Sequence, residues 1–186
     1  LTTRAEVISF AGGLPAPDFF PWQEIEAATD RILETRGKEA LQYSTTEGLL
    51  PLRRHIADRY LEKQGLRVDV EDILITNGSQ QGLDLLGKAL VNVGDAVIIE
   101  EPGYLGAIQS LSIFRPRFLP VSLTDEGLDI DRLKEVTASR EVKFMYAVPN
   151  FQNPSGITYA EGNRRQVAEV AADRGFFMVE DDPYGE

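Results

Sequence analysis

From Asp72 to the end of the chain, short apolar runs alternate with stretches of helical periodicity, and this alternation narrows the possible folds more than any other feature. Residues 73–76, 97–99, 118–121, 144–148 and 176–179 read as strands. Residues 80–91 read as a helix with Leu83, Leu86 and Leu90 turned inward. Further helices are expected from Leu105 and over 130–138. Thr158-Tyr159-Ala160-Glu161 has the form of a capping box and opens a helix that runs to Gly175. Strands and helices in alternation predict an α/β fold: a mostly parallel sheet with helices on both faces.

The first part of the chain follows a different pattern. Phe10-Ala11-Gly12-Gly13-Leu14-Pro15-Ala16-Pro17-Asp18 is a loop on its Gly and Pro content. Pro21 opens a helix with apolar positions Ile25, Ala28 and Ile32, expected to stop near Gly37. A loop over 43–48 precedes a helix carrying Leu52, Ile56 and Tyr60.

With 186 residues, 42% of them hydrophobic, the chain can build one sizeable core or one large domain plus part of another. The net charge of −11 argues against nucleic acid and anionic membranes as partners, since both select a positive surface. Cysteine is absent, which excludes disulfides and thiolate metal sites, and the single histidine, His55, is read as a helix residue. No apolar segment is long enough to span a bilayer, so a cytoplasmic protein is the expectation. The chain opens at Leu1 without an initiator Met and stops at Glu186 just past a strand, so it is expected to be one portion of a longer protein.

Open α/β sheets bind ligands beyond the carboxyl ends of their strands, so the residues that follow each strand are the candidates. Asn77-Gly78-Ser79-Gln80-Gln81 enters a helix, with Gly78 for a tight turn and free amides at Ser79 and Gln80 that suit an anion. Tyr104, after Glu100-Glu101-Pro102-Gly103, is an aromatic that could stack on a flat ligand. Pro149-Asn150-Phe151-Gln152-Asn153-Pro154-Ser155-Gly156 offers side-chain amides. Glu180-Asp181-Asp182-Pro183-Tyr184 is an acidic cluster that needs water or a cation. Taken singly, the first three are more often an ordinary turn or loop aromatic, and the acidic cluster is as often simply solvated. Together they describe a site for a phosphorylated, flat, cationic ring.

The chain resembles the class I/II aminotransferases of the fold-type-I pyridoxal-phosphate family, on the side of the 2-aminoadipate, kynurenine and aromatic aminotransferases. The resemblance rests on Phe10-Ala11-Gly12-Gly13-Leu14-Pro15, Gln42-Tyr43-Ser44 through Gly48, Gly78-Ser79-Gln80-Gln81, Asn153-Pro154-Ser155-Gly156 and Asp181-Asp182-Pro183-Tyr184, in family order along nearly the whole chain. It implies pyridoxal 5'-phosphate as cofactor and transfer of an amino group between an amino acid and a 2-oxo acid. It also implies that Asp181 pairs with the pyridine nitrogen and keeps the ring an electron sink. Tyr184 and Asn153 would bond the ring's 3-oxygen, Tyr104 would stack on the ring, and Gly78, Ser79 and Gln80 would cup the phosphate. Gly13 would approach the substrate carboxylate. Tyr43 would reach the phosphate of a neighbouring subunit, which implies a homodimer with shared sites. Residues 1–40 would be the lead-in and the start of a small domain, and 41–186 an incomplete cofactor-binding domain.

One departure qualifies these implications. The family's Schiff-base lysine follows the Asp-x-x-Tyr motif, and here only two residues follow Tyr184. None of Lys38, Lys63, Lys88, Lys134 and Lys143 stands in the family's context, so that lysine is expected beyond Glu186 and the chain alone is expected to be inactive. Two alternatives stay open. One is the aminotransferase-like sensing domain of a GntR/MocR-type transcription regulator, which a DNA-binding segment before Leu1 would reveal. The other is a general nucleotide-binding domain, against which the spacing Gly78-Ser79-Gln80-Gln81-Gly82 speaks.

Overall fold

The structure, a computed structural model, describes residues 15–185. The substrate-side glycine expected at Gly13 and residues 10–14 of its motif lie outside the described residues. The chain divides into two compact units, with the boundary between Ile73 and Leu74.

The first unit is helical. Helix α1 spans Trp22–Ala40 directly after Pro21. It was expected to stop near Gly37 but continues to Ala40 through a kink at Arg36, whose φ of −139° is not helical. Helix α2 spans Leu50–Gln64, with Pro51 in its first turn and Gly65 closing it in the left-handed region at φ 66°. The amides of Gly65 and Leu66 return to the carbonyls of Leu61 and Tyr60. The buried residue of α2 is a cation, Arg53, whose guanidinium donates to the Val70 carbonyl at 3.0 Å and meets Glu71 at 3.6 Å. The apolar positions Ile25, Ile32, Leu52 and Tyr60 are exposed.

The second unit is the α/β layer. It comprises α3 (Ser79–Leu90), β1 (Ala96–Glu101), α4 (Leu105–Ser112), β2 (Arg117–Thr124), β3 (Gly127–Leu128), α5 (Ile130–Thr137), β4 (Val142–Ala147), α6 (Glu161–Arg174) and β5 (Phe177–Glu180). The sheet order is β3-β2-β1-β4-β5. Every pairing is parallel except the short β2–β3 hairpin. Successive residues of β1 point to opposite faces. Val97 and Ile99 join Leu83, Ala107, Leu111, Phe144 and Tyr146 under α3 and α4. Ile98 joins Leu119, Leu133, Met145, Val167 and Val170 under α5 and α6. Burying each such side chain stabilises the sheet by roughly 1.5–3 kcal/mol.

Two local expectations are corrected. Residues 73–76 form no strand: Ile73 is extended, but it follows a 3-10 turn over Val70–Asp72 and has no ladder partner. The capping box at 158–161 is not made either. Ala160 is the N-cap of α6 without a side-chain bond, the Thr158 hydroxyl accepts from the Phe151 amide at 3.0 Å, and Glu161 pairs with Arg165. Both side chains of that motif are therefore used elsewhere.

Candidate functional site

The strand order fixes where a crevice can form. From β1 the chain crosses to β2 on one side, over α4; from β4 it crosses to β5 on the other side, over α6. Neighbouring loops therefore diverge at the carboxyl ends of β1 and β4, which is the switch point at which open α/β sheets take their ligands. Tyr104 lies on the β1 arm of this switch point, Asn153 on the β4 arm, and Asp181 and Tyr184 directly after β5.

Tyr104 is the N-cap residue of α4 and packs against the cluster of Leu83, Val97 and Tyr146. Its ring folds back over its own helix, because a Cβ at Gly106 would stand 2.6 Å from Cζ of Tyr104. The loop after β4 is closed by its own groups: Gln152 N–H donates to the Ile157 carbonyl at 2.8 Å and Gly156 N–H to the Gln152 carbonyl at 2.5 Å. Asn153 stands exposed at its turn.

The acidic cluster after β5 is partnered residue by residue. Asp181 continues the sheet through its amide, which donates to the Ala147 carbonyl at 2.9 Å. Its Oδ2 accepts a hydrogen bond of 2.6 Å from the buried Tyr146 hydroxyl, while Oδ1 has no hydrogen-bond partner among the described residues. Burial, the bond to Asp181 and that residue's charge hold the Tyr146 hydroxyl far above the ordinary phenol range, so it serves as a donor only. Asp182 accepts from Asn150 at 2.8 Å, and Glu180 lies 3.7 Å from Arg164. Tyr184 is 50% exposed.

Gly78, at φ 78°, is the N-cap of α3, and no side chain caps that helix. The exposed Ser79 and Gln80 begin it, while the Gln81 side chain turns back to accept from the Asn77 amide at 2.6 Å. An uncapped helix N-terminus after a left-handed glycine suits an anion. A carboxylate with one oxygen fixed and the other open suits a protonated ring nitrogen. These donors and acceptors fit a phosphorylated cationic ring. Tyr43, in the first unit, is 99% exposed.

Three buried side chains at the switch point were not foreseen from the sequence. Glu100, 1% exposed, accepts from the Val148 amide at 3.1 Å and the Tyr159 hydroxyl at 2.7 Å on Oε1, and from Gln152 Nε2 at 2.9 Å on Oε2. Burial pushes its carboxyl above the usual range, against the pull of those three bonds. Burial and the neighbouring Glu100 likewise raise the Tyr159 hydroxyl. Glu100 precedes a second glutamate, and from the sequence it has no assigned role. The available signal was its place in strand alternation, on the same face as Ile98.

Comparison with known families matches residues 9–186 to "Aminotransferase class I and II". The chain belongs to the class I and II aminotransferase family. It is 45% identical over 186 residues to the 2-aminoadipate transaminase of Thermus thermophilus, covering 100% of this chain and 45% of that protein. It is 42% identical over 191 residues to aromatic-amino-acid aminotransferase 1 of Thermococcus litoralis, covering 100% of this chain and 46% of that one. Among solved structures it is similar to the Pyrococcus horikoshii kynurenine aminotransferase crystallised with PMP, with a TM-score of 0.91, 40% identity, and coverage of 97% and 46%. The chain thus spans just under half the length of these aminotransferases. An uncharacterized HTH-type transcriptional regulator of Bacillus subtilis is 31% identical over 180 residues, 96% of this chain and 40% of that protein.

Proposed function

We propose that the protein carrying this chain is a pyridoxal-phosphate-dependent aminotransferase, moving an amino group between an amino acid and a 2-oxo acid. The observation that carries the reading is the Asp181 carboxylate at the end of β5, with one oxygen held by Tyr146 and the other open. The family's cofactor chemistry needs an anion there, because the ring withdraws electrons best while its nitrogen stays protonated. Asp181 would hold that proton in place by charge. Ser79 and the first amides of α3, turned by Gly78 and including Gln80, would bind the phosphate. Tyr104 would cover one ring face and exclude water from it. Asn153 and Tyr184 would donate to the ring oxygen and hold it ionised. When bound, pyridoxal phosphate supplies the electron sink that lets a proton leave the substrate's α-carbon. Gly13 is assigned to the substrate carboxylate, and the lysine that holds the cofactor covalently to a position beyond Glu186.

Three further parts of the reading go with it. The enzyme is a homodimer in which the exposed Tyr43 reaches a neighbour's phosphate, it works in the cytoplasm in amino-acid biosynthesis, and residues 1–40 and 41–186 belong to its small and large domains. The regulator alternative is less well supported, since two matched aminotransferases are 42% and 45% identical while the two regulators are 31% and 32%. The test is a half-reaction of the full-length, cofactor-loaded protein with single amino acids, including 2-aminoadipate, kynurenine and the aromatic amino acids, followed by the cofactor's visible band. Conversion with release of the matching 2-oxo acid supports the reading. A cofactor-bound protein that converts none of them, yet binds DNA in response to the cofactor, overturns it.

A further inference from the structure

We propose that Glu100 is a positioning residue: its buried carboxylate sets the placement of Asn153 by clasping the loop after β4 onto the end of β1. The proposal rests on the reading of Asn153 as a ligand of the ring oxygen. The clasp takes its donors from the beginning, middle and end of that segment: the Val148 amide, the Gln152 side chain and the Tyr159 hydroxyl. It therefore spans the switch point itself, joining the strand that leads to Tyr104 with the loop that carries Asn153.

Gln152 transmits the restraint. It is 1% exposed, and each of its polar groups is used. Nε2 donates to Glu100 and also to the Pro102 carbonyl at 2.8 Å, on the arm that leads to Tyr104. Oε1 accepts the Ser155 amide at 2.8 Å, closing the turn around Asn153. Its backbone N–H and C=O are bound to Ile157 and Gly156. The side chain of the residue before Asn153 is thus held at every polar atom, and one of its partners is a carboxylate that is itself 1% exposed. An apolar group of similar volume could serve a core position equally well, and a buried carboxylate whose partners here are the uncharged Val148 amide, Gln152 amide and Tyr159 hydroxyl is a poor way to gain stability. What a carboxylate offers is acceptance at two oxygens with fixed geometry.

Glu100→Gln tests this without changing shape. If its oxygen keeps the Val148 and Tyr159 donors, its NH2 faces the Nε2 donor of Gln152. Gln152 can answer only by turning its amide over, which breaks its bonds to Pro102 and Ser155 and releases the turn at Asn153. The experiment is done on the full-length, cofactor-loaded protein, reading the pH midpoint of the bound cofactor's visible band. Loss of a donor leaves the ring oxygen more basic, so Asn153→Ala should move the midpoint to higher pH, on the order of one unit. Glu100→Gln should move it the same way, and the double variant no further than Asn153→Ala alone, because the two act through one contact. Should Glu100→Gln not accumulate as folded protein, Gln152→Ala, which leaves the carboxylate in place, should give the same shift and the same non-additivity. A folded Glu100→Gln or Gln152→Ala protein with an unmoved midpoint, or a double variant with additive shifts, overturns the proposal. An unmoved midpoint in Asn153→Ala overturns the reading of Asn153, and the proposal with it.

Discussion

Tyr159→Phe removes one hydroxyl from the Glu100 cluster and leaves the ring in place. The lost bond is 2.7 Å long and lies between residues that are 4% and 1% exposed, so water cannot readily replace it. A buried hydrogen bond to an ionised group contributes about 1.5–3 kcal/mol, and one to a neutral group about 0.5–1.5 kcal/mol. The penalty therefore depends on the charge of Glu100. Burial raises its carboxyl above the usual range, so the neutral form stabilises the fold fully below the ordinary carboxylate pKa of about 4.3, and that stability is lost as pH rises through the folded value. The Tyr159 bond favours the ionised form and opposes the shift. Without it the shift widens, and the loss on raising the pH grows. Tyr159→Phe should accordingly cost about 1.5–3 kcal/mol at pH values well above the shifted pKa and about half that or less in acid, below about pH 4. Urea unfolding of wild type and variant at both pH values, with the dependence on denaturant checked for equal slope, measures it. A penalty under about 0.5 kcal/mol at both pH values, or one larger in acid, would refute the reasoning.

Asp181→Asn should weaken cofactor binding by about 10- to 100-fold, the worth of one hydrogen bond to a charged group, measured by dialysis against graded pyridoxal phosphate. Ser79→Ala should weaken it by about 10-fold, with pyridoxal lacking the phosphate unaffected in the same titration. Gly106→Ala should displace the Tyr104 ring, for which a Cβ leaves only 2.6 Å, and change the circular dichroism of the bound cofactor; an unchanged spectrum speaks against the stacking role. Asn163→Ala should cost about 2–5 kcal/mol in the same urea assay, since it strips partners from both the amide and the carbonyl of buried Leu128, at 3.0 and 2.7 Å.

The α/β layering was legible because its cause is local. Apolar runs such as 97–99 and 144–148 have no other way to be covered on both faces, and helices with Leu83 or Leu133 facing inward must pack on them. The helix expected over 130–138 forms as α5, where the Asp129 side chain accepts the Arg132 amide. Residues 73–76 show the limit. Their composition suits a strand, but a strand exists only if a neighbour offers a ladder, and composition cannot supply one. Thr158 shows the same limit for a cap, since its hydroxyl meets the distant Phe151 amide instead.

The candidate site divides in the same way. That tyrosine, asparagine and aspartate would follow strand ends could be read from the order of residues, because a ligand-binding α/β sheet uses those ends; Gly78 and Ser79 instead follow residues 73–76, which form no strand. That Tyr104 and Asn153 flank one switch point follows only from the sheet order, in which β4 lies beside β1 on the side away from β2. That Tyr146 orients Asp181, and Glu100 holds Gln152 and Tyr159, follows only from packing. These partners stand 35, 52 and 59 residues apart, and nothing local ties them. Local pattern determines which faces are buried, because the hydrophobic effect acts on each segment separately; hydrogen bonds between distant side chains are directional, and only the assembled sheet brings their atoms within reach.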